Sequence, residues 1–171
     1  ISRALNDSPQ IGEKLRLQIK DLANKRNYRP NPFAMSLLKN SPRIIGIIVP
    51  DIVTHFYSSI ISGINDVARR HHYSVLITSS YEQYELEKQC LEDLLNIRVE
   101  GVIACLSQNT TDYSHFEAIY KRNVPIVFFD RVCLTDKFSS VITNNADSAH
   151  EATSHFLMTG SKRVGFIGGA N

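Results

Sequence analysis

The sequence predicts an α/β fold: a doubly wound parallel sheet behind a partial, basic helical head. Three observations carry this. Residues 43–50 (Arg-Ile-Ile-Gly-Ile-Ile-Val-Pro) form one continuous apolar, β-branched run, the pattern of a strand covered by helices on both faces. Beyond it, strand-length apolar runs alternate with stretches of helical period, which is the signature of parallel strands joined by crossover helices. Ahead of residue 43 the period is helical only, and the charge changes sign. Residues 1–43 hold nine Lys and Arg against three acids, a net +6, while the remaining chain carries ten against fourteen, a net −4. A basic head on an acidic body points to a polyanion partner for the head alone.

Residues 1–6 read as the end of a helix that begins upstream. Ile1, Ala4 and Leu5 share a face, and Asp7-Ser8-Pro9 breaks the helix. A second helix runs from Gly12-Glu13 to about residue 27. Leu15, Ile19, Leu22 and Ala23 form its apolar stripe, with Lys14, Lys20 and Lys25 off it. Leu17 also falls off the stripe. Two helices of this size do not close a core, and the first residue is Ile, so the chain is expected to be clipped at its front.

Residues 27–38 (Asn-Tyr-Arg-Pro-Asn-Pro-Phe-Ala-Met-Ser-Leu-Leu) pass from linker to helix. Pro30 and Pro32 lack amide donors and drive the residues before them out of helical geometry. Asn31 then suits an N-cap and Pro32 the first helical position, with no breaker over 33–39. A helix of two turns does not repay its nucleation cost in water. It requires an apolar partner for Phe33, Leu37, Ala34 and Leu38.

The body follows in order. Strands are expected over residues 43–50, 73–78, 101–106, 125–130, 140–143 and 163–167, and helices over 56–71, 84–97, 113–122 and 146–159. Ile60, Ile61, Ile64, Val67 and Ala68 keep register in the first of these helices; Leu86, Cys90, Leu91, Leu94 and Leu95 do so in the second. The chain stops just after the sixth strand, so shortening is expected there too.

In such sheets ligands bind beyond the carboxyl ends of the strands. Those ends carry Pro50-Asp51, Thr54-His55-Phe56-Tyr57, Ser79-Ser80, Ser107-Gln108, Asp130-Arg131 and Asn144-Asn145. Hydrogen-bonding groups beside aromatic rings suit a polyhydroxylated ligand, whose hydroxyls need partners and whose C–H faces lie against flat rings. Catalytic readings find nothing comparable. Gly165, Gly168 and Gly169 do not make a dinucleotide fingerprint, no phosphate-binding Walker loop is present, and the six His are scattered. His71-His72 reads as a solvated helix end and not a ligand pair. No cofactor, metal site or catalytic residue is expected. Three Cys without CxxC spacing fit a reducing compartment, with Cys105 and Cys133 as small core residues. No signal peptide and no apolar run of membrane-spanning length is seen.

Several stretches closely resemble the lac-repressor (LacI/GalR) family of bacterial transcription regulators. They are Ser2-Arg3-Ala4-Leu5-Asn6, Lys14-Leu15-Arg16, Asn27-Tyr28-Arg29-Pro30-Asn31-Pro32, Ala34-Met35-Ser36-Leu37 and Ile45-Gly46-Ile47-Ile48-Val49-Pro50-Asp51. Glu100-Gly101-Val102-Ile103, Pro125-Ile126-Val127-Phe128-Phe129-Asp130-Arg131, Thr143-Asn144-Asn145 and the run from Gly160 to Gly169 continue it in the same order. The chain departs from the family at Met35, often Arg there, and at Gly12, often a hydroxyl residue.

The resemblance implies a partial helix-turn-helix head over 1–30, a hinge helix and linker over 31–42, and the N-terminal subdomain of a periplasmic-binding-protein-like core over 43–171. A second subdomain would close the effector cleft. Arg3 would read a base edge, and Ser2, Asn6, Tyr28 and Asn31 would position the head on DNA. Ala34 and Leu37 would face the minor groove, with Leu37 wedged between base pairs. Asp51, Phe56, Tyr57, Ser107, Asp130 and Arg131 would line the effector site. The implied partners are operator DNA, a carbohydrate effector and a second copy of the chain, in a bacterial cytoplasm at the nucleoid, with no membrane. The alternative is a sugar-binding module related to periplasmic receptors, without a DNA role.

Overall fold

A computed structural model of the chain describes residues 1–5, 7–28 and 42–168, without the side chain of Ser2. The predicted hinge helix, with Asn31, Ala34 and Leu37, lies outside the described residues, as does Asn6.

Two helices form the head: α1 (Ser2–Leu5) and α2 (Glu13–Lys25). Ala4 is buried, because a methyl-sized side chain lets the short helix lie close on its neighbour. Asp7, at positive φ, turns the chain between them and takes a hydrogen bond of 2.6 Å from Lys20, with Arg16 at 3.6 Å. The apolar stripe of α2 is real but bare. No residue of α2 is buried, and Ile19, Leu22 and Ala23 line an open groove of about 620 Å³ together with Ile1, Arg26, Asn27 and Tyr28.

The body is β1 (Ile44–Val49), α3 (His55–Arg70), β2 (Ser74–Ser79), α4 (Tyr84–Ile97), β3 (Gly101–Ala104), α5 (Ser114–Tyr120), β4 (Ile126–Phe129), β5 (Ser139–Val141) and α6 (Asn145–Met158). All five strands are parallel, in the order β2-β1-β3-β4-β5. β1 lies inside the sheet between β2 and β3, and Ile47, Ile48 and Val49 are fully buried, as its unbroken apolar run requires. Alternate side chains go to opposite faces. Ile47, Val49, Val75, Ile103 and Phe129 pack with Ile60, Ile61 and Ile64 of α3. On the other face Ile48, Val102, Ala104, Ile126 and Phe128 pack with Leu91 and Leu94 of α4 and Phe116 and Ile119 of α5. The sheet is therefore covered on both sides. Cys105 and Cys133 are buried, as expected of small core residues.

Gly46 sets how closely α4 approaches β1. A Cβ there would stand 2.6 Å from Leu94 Cδ1, inside any tolerated contact. Two expectations are corrected. Residues 163–167 form no strand: they pair with nothing among the described residues, and Phe166 and Ile167 are 93% and 99% exposed. An apolar run becomes a strand only where a neighbour offers a ladder, so the sheet has five strands and not six. Val67, placed on the buried stripe of α3 by its spacing, is 51% exposed, whereas Ala68, the next residue and about 100° further round the helix, is buried. Among the described residues no helix is long and apolar enough to cross a membrane.

Candidate functional site

The carboxyl ends of β1, β2, β3 and β4 bring several side chains to one edge of the sheet. The centre of the group is Arg131, just past β4. Its guanidinium grips Glu82 fork to fork, Nη1 to Oε2 at 2.9 Å and Nη2 to Oε1 at 2.7 Å, and Nη2 also donates to Tyr57 Oη at 2.8 Å. Three of the five guanidinium donors are thus engaged. Glu82 sits in the turn after β2, where Tyr81 and Glu82 both have positive φ, and it also accepts the Gln108 amide at 2.6 Å. One carboxylate therefore braces the loops after β2, β3 and β4 against each other. The Arg131 hydrogen bonds hold the Glu82 carboxyl below the usual carboxylate range, and Glu82 in turn raises the guanidinium above its already high value.

Tyr57, on the first turn of α3, is buried with its hydroxyl 3.7 Å from Cys105 Sγ. Burial pushes its phenol up to about 12 and the Cys105 thiol up as well. Phe129 meets the Tyr57 ring edge-on at 6.4 Å, and Phe56 meets it at 5.1 Å. Phe56 itself is 51% exposed, so its ring is free to cover an apolar face. Asp130 adopts φ +58 and is exposed, with Cys105 Sγ 3.9 Å from Oδ2. Asp51 folds back on its own loop, accepting the Val53 amide at 2.8 Å.

Behind this edge lies a buried polar cluster. Glu87 of α4 is wholly buried and accepts from Ser107 N at 2.6 Å, Thr110 Oγ1 at 3.0 Å and His115 Nε2 at 3.0 Å. Burial alone would raise its carboxyl, but the bonds from His115, Ser107 and Thr110 outweigh that and hold it low. Ser107 Oγ pairs with Ser80 Oγ at 2.7 Å.

Of the six effector positions expected from sequence, Tyr57, Asp130 and Arg131 converge directly, and Phe56 flanks them. Asp51 stands at the neighbouring strand end. Ser107 is at the right edge, but its hydroxyl and amide are both engaged inward. Sequence reasoning misses Glu82 and Glu87, reads Cys105 only as a core residue, and names Ser80 among the strand ends without giving it a role. Glu87 left a trace: it falls at i with Cys90, Leu91 and Leu94 at i+3, i+4 and i+7, an acid on an apolar stripe. Glu82 left none beyond its place three residues past the end of β2. In the head, Arg3 is exposed on α1. Tyr28 is half exposed beyond α2, its amide donating to Ala23 O at 2.8 Å. Arg16 and Lys20 spend charge on Asp7, and Lys25 on Asp21.

A parallel sheet wound on both faces, with aromatic rings and polar groups gathered at its carboxyl edge, defines a ligand-binding α/β domain. Residues 43–171 match the family described as periplasmic binding proteins and sugar binding domain of LacI family, and the chain belongs to that family. It is 28% identical over 169 residues to catabolite control protein A of Priestia megaterium, covering 99% of this chain and 50% of that protein. A lac repressor dimer bound to operator and the anti-inducer ONPF superposes with TM-score 0.75 at 25% identity, over 93% of this chain and 48% of the repressor. A periplasmic binding protein/LacI transcriptional regulator from Alkaliphilus metalliredigens, complexed with D-xylulofuranose, superposes with TM-score 0.59 at 28% identity, over 69% of this chain and 42% of that one. The chain spans about half the length of the curated relatives it matches.

Proposed function

We propose that the full-length protein is a sequence-specific DNA-binding transcription regulator, a repressor, controlled by a small carbohydrate effector. One observation carries the effector half: Tyr57, Phe129, Asp130 and Arg131 meet at the carboxyl edge of a sheet of the sugar-binding family. Exposed carboxylate and amide groups accept and donate to hydroxyls there, while Phe56 covers a C–H face. The division into head (1–30), hinge (31–42) and core subdomain (43–171), the site residues, the homodimer, the cytoplasmic setting and the absence of catalysis all belong to this proposal. The family description also embraces receptors without a DNA role. The head favours the regulator, because the match to catabolite control protein A takes in 99% of this chain, the head included.

The mechanism is a population shift. Effector binding favours one arrangement of the core, which sets the spacing of paired hinge helices and so their stability on DNA. The effector acts only through its differential affinity for the two states. Two variants of the full-length protein test the two halves separately. Leu37→Ala should weaken operator binding by roughly tenfold or more while leaving sugar binding intact, since the wedge is lost. Asp130→Gly suits the left-handed backbone at that position and removes only the carboxylate. It should abolish the response of operator binding to sugar. Operator affinity unmoved by the first variant, or a normal response in the second, would sink the corresponding half.

A further inference from the structure

Glu82 does more than brace loops. We infer that it makes this wall of the cleft selective for uncharged polyhydroxylated effectors and against their phosphate esters; the inference rests on the effector reading above. Among the described residues Arg131 is the one Lys or Arg at the carboxyl ends of the strands, and a free guanidinium there would be a natural phosphate clamp, its planar fork matching two oxygens. That fork is already filled. Glu82 takes one N–H from each terminal nitrogen at 2.9 and 2.7 Å, and Tyr57 takes another. Asp130 and Asp51 add two further carboxylates at the same strand ends, without touching the guanidinium. A phosphate dianion could take this fork only by displacing Glu82, and at the donors left over it would lie beside the Glu82 carboxylate, a like charge. Helix N-termini offer little relief. The first turns of α4, α5 and α6 carry Glu85 and Glu87, Glu117, and Asp147, leaving α3 alone without an acid. A neutral sugar meets no such conflict: its hydroxyls accept from the two guanidinium donors still free and donate to Asp130.

The test uses the full-length protein and calorimetric titration with matched probes: D-ribose against ribose 5-phosphate, D-fructose against fructose 1-phosphate, and inorganic phosphate alone. The wild type should bind a neutral sugar more tightly than its ester and show no affinity for inorganic phosphate in the low-millimolar range. Glu82→Gln keeps the shape but frees the guanidinium. The affinity ratio of ester to neutral sugar should rise about tenfold or more, as expected for removing one close like charge, and inorganic phosphate binding should appear. Glu82→Gln/Arg131→Gln should lose both gains. A wild type that prefers the ester overturns the inference, as does a Glu82→Gln protein with no gain, or a double variant that keeps it. If no sugar of either kind binds the wild type, the effector reading falls, while the inorganic phosphate titrations of the wild type and variants still decide the role of Glu82. If Glu82→Gln does not fold, the wild-type comparison of sugar with ester decides alone.

Discussion

Glu87 shows what a single buried charge does in this fold. It is wholly enclosed, yet three donors meet its two oxygens, so removing it would orphan groups on the loop after β3 and on α5. His115 must donate from Nε2, because a carboxylate only accepts, and its Nδ1 is buried without a partner. The carboxyls of Glu87 and Glu82 are both held below their ordinary value of 4.5 in the fold. In the unfolded chain they protonate first as pH falls. Their contribution is therefore fully present above about pH 4.5 and is lost below it. Urea unfolding as a function of pH should show stability declining through that range. Glu87→Gln turns an amide donor toward donors, so it should cost about 1–3 kcal/mol at neutral pH and flatten the acid decline. A variant as stable as the parent with an unchanged acid limb would show that the cluster is incidental. The Glu82–Arg131 pair is partly solvated, so water screens it and it adds less to stability than the enclosed Glu87.

At the scale of elements, Gly46 is the tightest constraint on the sheet. Gly46→Ala drives a methyl into the Leu94 side chain, which is itself fully buried with nowhere to retreat. Thermal unfolding should register a loss of about 1–3 kcal/mol, the range for overpacking a dense core. Leu94→Ala in the same chain should recover part of it, because the two changes meet in one space; strictly additive losses would mean the contact is not what limits α4. Most elements were legible beforehand because their periods are clean. β1, with no polar residue, could only be an interior strand, and the apolar stripes of α3 and α4 mark which faces they turn to the sheet. The stretch over 163–167 has equal apolar content but forms no strand, since pairing depends on a neighbour that its own residues do not specify. The site was half legible for a related reason. Strand ends are readable from sequence, so Asp130, Arg131 and Tyr57 were placed together. Which side chain fills the Arg131 fork depends on the turn at Tyr81 and Glu82, two residues at positive φ that carry no Gly or Asn to announce them.

The whole molecule divides by charge as well as by structure, with a basic head and an acidic body. Binding of the full-length protein to DNA should weaken steeply as salt rises, because each phosphate contact by Lys or Arg releases counterions. Sugar binding at the other site should respond little. Equal salt slopes for the two ligands would contradict that separation. The body is uneven in another respect. Its buried core gathers on β1, β3 and β4, whereas β5 is three residues long and exposed throughout, and α6 buries nothing. Phe156, Leu157, Met158, Phe166 and Ile167 also stand in solvent.

An uncapped sheet margin together with bare aromatic and aliphatic surface is what one molecule offers another when solutions become crowded. These 171 residues, prepared by themselves, should keep poorly: scattering should climb with concentration and time, and Ile167→Lys should slow the climb. Storage behaviour would then report on the surface that the folded sheet leaves unguarded.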